Sequence, residues 1–282
     1  MLRVILVIVW VVAAIAATLP GVGYYLTPLQ ERPFTPEHDL FASTALVGHG
    51  YGVVGSSFML LGVLSYSARR RILTLSRMGK LKHWLQIHIF LCTLGPFLIL
   101  LHSAFRVGGL VAIAFWSMVL VVASGVFGRY LYVRIPKTLH GTFLSLEATE
   151  RRREDALADL QNKVSMDPSV LAQLSQEVRP QEPRSLVHAL LLGIRWDFRR
   201  RKREKRVRHL LERAALSATE RKEVLSLALE EARLGGQVAL LQPFRRLFRY
   251  WHVFHLPLAI VMFLILAVHV TVAILFGYAW VL

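Results

Sequence analysis

Long apolar runs alternate with short charged segments along the chain, and these runs are its strongest structural signal. Roughly 20 consecutive apolar residues suffice for a helix to cross the hydrocarbon layer of a bilayer. Most of the runs are bounded by Pro, Gly or charged residues, where helices commonly end. The pattern therefore predicts an all-α integral membrane protein with five transmembrane helices, at Val4 to Leu19, Thr44 to Tyr66, Trp84 to Phe105, Leu110 to Val133 and Val253 to Leu282.

The charge-dense segment between the fourth and fifth runs differs in composition from the rest. Helix formers with interspersed charges predict helices at 145–164, 185–215 and 219–232, and Gly235-Gly236 is expected to end this helical segment. The first run also resembles a signal peptide, but we favour a retained, signal-anchor-like helix. The predicted organisation is a first transmembrane helix at 1–25, helices two to four at 26–134, a basic helical cytoplasmic insertion at 135–250, and the fifth transmembrane helix at 251–282.

The distribution of Lys and Arg predicts the orientation, because short loops rich in these residues stay in the cytoplasm. Segment 20–43 contains Arg32 as its only Lys or Arg residue, whereas segment 67–82 contains six. The second of these loops is therefore expected inside. The N-terminus and the long 134–250 segment are then cytoplasmic, the C-terminus is outside, and a bacterial inner membrane is the expected location.

Net charge and cysteine content narrow the classes of partner and cofactor. The net charge is +16, and the run from Arg199 to Arg203 would suit phosphates. A basic cytoplasmic face beside anionic lipid explains this charge, and no nucleic-acid module accompanies it. Cys92 is the single cysteine, so the chain forms no intrachain disulfide, no four-cysteine iron–sulfur site and no covalent c-type haem attachment.

Four histidines lie inside the predicted spans as two equally spaced pairs. His88 and His102 are on the third span, and His255 and His269 are on the fifth, with an interval of fourteen positions in each pair. This interval is nearly four helical turns, so each pair projects from almost one face, about 21 Å apart along the axis. Because metal-binding and ionisable side chains are expensive inside a bilayer, such residues mark functional sites.

The third and fifth spans are predicted to run in the same direction. His88 is then level with His255 on the cytoplasmic side, and His102 is level with His269 on the outer side. This arrangement predicts two bis-histidine haem sites within a four-helix bundle. Iron with two imidazole ligands has no open position, which suits electron transfer.

With these four histidines the sequence resembles the di-haem transmembrane b-type cytochromes, a group that includes cytochrome b of quinol-oxidising complexes and the ferric-reductase-like membrane domains. In that group, two histidines at an interval of thirteen or fourteen positions on one helix face two on another. The resemblance covers the second to fifth spans and implies two non-covalent haem b groups, with quinone as a further candidate ligand. It does not extend to residues 145–241, and no Pro-Glu-Trp-Tyr type quinol-oxidation motif occurs.

Other residues near the histidines are assigned weaker roles. Gly95 lies midway between His88 and His102 and leaves room for a haem, and Arg106 is a candidate partner of an outer propionate. His49 is expected to have a non-ligand role. The motif from Gly50 to Gly55 matches the dinucleotide fingerprint GxGxxG, but it falls inside a span rather than between a strand and a helix.

The functional hypothesis is transmembrane electron transfer in a respiratory-type redox system. The chain has no flavin or nicotinamide domain, so it is expected to act with redox partner proteins on one or both faces, as the membrane subunit of a larger redox system for which quinone is one candidate partner. No catalytic residue is assigned. The alternative is a metal or proton transporter or assembly factor, in which His102, His269 and His49 converge on one site. A purely structural anchor ranks last, because it leaves the matched spacings as coincidence.

Overall fold

The computed structural model describes residues 1–135, 176–214 and 216–276, together with positions 147, 151, 154, 158, 173 and 174. Within these residues the regular structure is helical, without strands. Short 3-10 turns occupy Leu19–Gly21 and Arg32–Phe34. The helices are α1 (Leu2–Thr18), α2 (Val22–Leu26), α3 (His38–Phe41), α4 (Leu46–Arg71), α5 (Leu73–Ser76), α6 (Leu81–His102), α7 (Gly109–Arg134), α8 (Leu186–Glu212) and α9 (Ala218–Leu275).

Five helical stretches of the described chain are long and apolar enough to cross a membrane, and each overlaps one of the predicted runs. Their apolar side chains, such as those of Val126, Leu264 and Val268, are largely exposed. Such exposure would be unfavourable in water but matches helices surrounded by lipid. The fold is therefore that of a helical membrane protein, as the hydropathy pattern predicts. The spanning stretches are Leu2–Leu26, His38–Arg71, Leu81–His102, Ala112–Arg134 and Ala218–Leu275.

The chain divides into two compact units, one made of residues 1–126 and 254–282, and the other of residues 127–253. In the second unit, α8 and α9 pack around Val207, Leu211, Val224 and Ala228, all of which are buried. A capping box precedes α9, in which the Ser217 hydroxyl accepts from the Glu220 amide and the Glu220 carboxylate accepts from the Ser217 amide.

The expected helix end at Gly235-Gly236 is wrong, because α9 continues without interruption through both glycines. The reason is tertiary packing. A Cβ at Gly236 would lie 2.8 Å from the Trp196 ring, so this glycine serves the close approach of the α8 indole to α9. Apart from positions 147, 151, 154 and 158, the predicted helix at 145–164 lies outside the described residues, as do the last residues of the predicted fifth span, 277–282.

The third span ends earlier than predicted. Its helix stops at His102 rather than at Phe105, and Ala104 and Phe105 follow with φ values of 45° and 61°. The left-handed region is unfavourable for residues with a side chain, so neighbouring contacts must hold this turn in place.

Candidate functional site

Helices α4 and α6 pack against each other as a close antiparallel pair in the membrane-spanning unit. At its midpoint, a Cβ at Gly55 would lie 2.7 Å from the Gly95 carbonyl oxygen, and a Cβ at Gly95 would lie 2.6 Å from the Gly55 carbonyl oxygen. Only glycine permits this approach. Contacts recur at intervals of about two helical turns on both helices. The pairs are Gly48 with His102, Gly55 with Gly95, and Gly62 with His88.

His88 and His102 are held in the same way by backbone carbonyls of α4. Nδ1 of His88 donates to the Gly62 carbonyl at 2.9 Å, and Nδ1 of His102 donates to the Gly48 carbonyl, also at 2.9 Å. A carbonyl oxygen can only accept, so each Nδ1 carries the proton and each Nε2 is left with its lone pair. Metal-ligating histidines typically have this arrangement, in which the hydrogen bond fixes both the tautomer and the ring orientation.

His255 is oriented by a side chain instead of a backbone carbonyl. The Ser124 hydroxyl of α7 donates to the Val121 carbonyl at 2.9 Å and lies 2.6 Å from Nδ1 of His255. The contact with Ser124 orients the His255 imidazole at its Nδ1 atom. Three of the four predicted ligands are therefore held at Nδ1, and in His88 and His102 the carbonyl partners leave Nε2 suited to bind iron.

The fourth histidine, His269, lies on α9 near the outer predicted level. His102 is within electrostatic range of both His269 and His49. The His49 ring is nearly perpendicular to that of His102, with 6.2 Å between the ring centroids. Within the described part of the chain, no three His, Cys, Asp or Glu side chains converge closely enough to hold a bare metal ion.

A layer of methionine side chains lies between the two histidine levels. Met59 of α4, Met118 of α7 and Met262 of α9 are buried and form one cluster, flanked by Ile99 and Phe115. Met59 also packs against Gly95, the midpoint of the histidine-bearing helix. The methionine layer is therefore a packed apolar partition between the His88 and His102 regions.

A buried arginine holds the turn that follows His102. Arg32 is 4% exposed, and its guanidinium donates to the backbone carbonyls of Thr27, Tyr25 and Ala104. The bond to Ala104 joins the 20–43 segment to the left-handed turn just beyond His102. Arg106, the candidate propionate partner, is exposed on the same turn.

A second buried arginine has the equivalent position at the opposite end of the α4–α6 pair. Arg69 donates to the carbonyls of Met78 and Gly79, both at 3.1 Å, in the loop that leads to His88. Gly79 has a φ of 63°, so this loop also contains a left-handed residue. Each end of the helix pair is thus closed by an arginine bound to backbone carbonyls.

Substitution of Arg32 by methionine should lower stability markedly. The variant keeps much of the apolar length but leaves three carbonyls without their charged donor, and each such hydrogen bond contributes about 1.5–3 kcal/mol. We expect a clear fall in the thermal unfolding midpoint of the purified protein in detergent. The matched variant Arg70→Met, at an exposed arginine, should unfold near the wild-type temperature; equal midpoints for all three proteins would contradict the assigned role of Arg32.

Sequence reasoning identified the histidines and Gly95 but missed the groups that hold them. Arg32 had one visible signal, since it is the only Lys or Arg residue of segment 20–43. Nothing in the sequence pointed to Ser124 or to the carbonyls of Gly48 and Gly62 as partners of the histidines. The GxGxxG motif lies within α4, where Gly52 admits the His102 ring, because a Cβ there would lie 2.8 Å from its Nδ1.

These features define a helical membrane protein whose spans carry oriented histidines on both sides of an apolar layer. Comparisons with protein-family models, with curated proteins and with solved structures found no match to this chain.

Proposed function

We propose that the chain is a transmembrane electron-transfer protein that holds two haem b groups, one between His88 and His255 and the other between His102 and His269. The observation that carries the proposal is the matched pair of Nδ1–H bonds from His88 and His102 to glycine carbonyls of α4. Packing or proton transfer would not require two imidazoles, four turns apart, to have the same tautomer and the same kind of partner. Haem bound at both levels would supply one-electron carriers on the two sides of the membrane.

The residues of the chain would each have a defined task. His88, His102 and His255 would present Nε2 to iron while Gly62, Gly48 and Ser124 hold their opposite nitrogens. Gly52 admits the ring of His102. Basic residues near the membrane surface, Arg106 among them, would pair with propionates.

The proposed setting is a cytoplasmic membrane with the N-terminus and the 134–250 segment inside and the C-terminus outside. Electron donor and acceptor would be separate proteins, or quinone at one surface, because neither the spans nor the basic segment contains a recognisable flavin or nicotinamide site. The protein would then be the membrane subunit of a larger redox system.

One observation favours a second candidate function. At the outer level, 6.2 Å separates the ring centroids of His49 and His102, and His269 is within electrostatic range of His102, as a proton pathway would require. That function predicts a single histidine site and gives His88 and His255 no task, whereas the two-haem proposal uses both pairs.

The deciding experiment is the haem content and the reduced-minus-oxidised visible spectrum of the purified protein. Two non-covalent haems per chain, with the split bands of low-spin iron, are the expected result. Protein purified from haem-replete cells without haem, and unable to bind added haem, would overturn the proposal. Binding of Zn²⁺ or Cu²⁺ by that protein, lost in His49→Ala and His102→Ala, would establish the second candidate.

A further inference from the structure

The outward face of α8 carries an apolar stripe that the core of its unit does not use. Val187, Leu191, Ile194 and Phe198 are exposed, with Val187 at 68% and Phe198 at 82%. Their successive spacings of i+4, i+3 and i+4 place them on one helix face. A helix in water rarely presents such a row, and it marks a surface that binds something apolar.

The opposite face of α8 is the one that packs within the unit. Ala189, Val207 and Leu211 are fully buried, and Trp196 is covered by the Arg203 guanidinium at 3.4 Å from the ring centroid. These residues lie about half a turn from the exposed stripe. The stripe is therefore not an incomplete part of the core.

The same outward face becomes basic in its second half. Arg201, Lys202 and Lys205 are exposed and continue the line of Phe198. Helix α8 as a whole contains nine Lys and Arg residues against three Asp and Glu residues. A row of apolar side chains followed by a row of positive charges is complementary to a surface that has hydrocarbon beneath negative headgroups.

We propose that this face of α8, from Val187 to Lys205, binds the surface of an anionic membrane. A chain with five spanning helices is always beside a bilayer, so this partner is present at high local concentration. The apolar half enters the headgroup region while the lysines and arginines pair with lipid phosphates or carboxylates. The inference does not depend on haem.

The test uses the full-length protein in lipid nanodiscs. The single native cysteine is replaced by Cys92→Ala, and Phe198→Cys is labelled with a polarity-sensitive fluorophore. Ser226→Cys, at an exposed position on α9, is the matched control. In discs with phosphatidylserine or phosphatidylglycerol, the label at 198 should emit at shorter wavelength than in phosphatidylcholine discs, whereas the label at 226 should not shift.

Charge variants and changes of protein concentration distinguish an anionic membrane from a second copy of the chain as the partner of this α8 face. Adding Lys202→Gln and Lys205→Gln to the Phe198→Cys protein should abolish the anionic-lipid shift, and high salt should reduce it. An equal emission wavelength in both lipid compositions would overturn the proposal. A short-wavelength emission in both compositions that depends on protein concentration would assign the stripe to a second copy of the chain instead.

Discussion

Replacement of His102 by alanine is expected to remove one haem from the protein and to leave the other. His102 and His88 are separated by nearly four turns and by the methionine layer, so the two proposed sites should lose their ligands independently. The haem content should fall from two per chain to one in His102→Ala. His88→Ala should also retain one haem, but a different one, with its own reduction potential.

Two controls make this result specific. His209→Ala changes an exposed histidine of α8 and should keep both haems. Added imidazole should restore the spectrum of His102→Ala, because it can fill the space of the missing ring. Loss of both haems in both variants, with no recovery by imidazole, would mean that the histidines support the fold and are not separate ligands.

The second large effect is expected from Gly95→Ala, at the point where α4 and α6 are closest. The new methyl group would lie 2.6 Å from the Gly55 carbonyl oxygen, which belongs to a helix backbone and cannot rotate away. Overpacking of this kind typically destabilises by about 1–3 kcal/mol, and the helix-propensity gain of alanine, up to about 1 kcal/mol, offsets it only in part.

The distinguishing readout is the behaviour of both histidine levels together. When α4 and α6 move apart at their midpoint, the bonds of His88 to Gly62 and of His102 to Gly48 lengthen at the same time, so affinity for both haems should fall in parallel. Gly23→Ala is the matched control, because nothing lies within 4 Å of a Cβ at that position. The prediction is checked by measuring the unfolding midpoint in detergent and the haem content of Gly95→Ala and Gly23→Ala. Equal midpoints and equal haem contents in the two variants would contradict it.

The sequence predicted the spans well because hydropathy alone decides which segments can enter a bilayer. It also located the four histidines, since their equal spacing in the two spans follows directly from helix geometry. The Nδ1 partners of His88 and His102 could not be predicted, because a backbone carbonyl has no residue-specific signature and becomes reachable only where glycines let two helices approach.

Long-range packing explains the other points at which the structure differs from the sequence-based prediction. The bond between Arg32 and Ala104 joins residues 72 positions apart, and no local pattern predicts it. The glycines at 235 and 236 suggest a helix end on intrinsic preference, but the Trp196 ring packed against Gly236 belongs to the preceding helix, far away along the chain. Local preference gives way in such places to contacts made elsewhere in the chain.

The methionine layer has a consequence for the energetics of the membrane. Met59, Met118 and Met262 close the centre of the bundle with thioethers, which are too weakly polar to support a continuous chain of water. Electrons can tunnel through such a barrier over short distances, whereas hydrated ions cannot enter it. A protein built in this way could transfer electrons across the bilayer without letting ions leak down the gradient that the same membrane maintains.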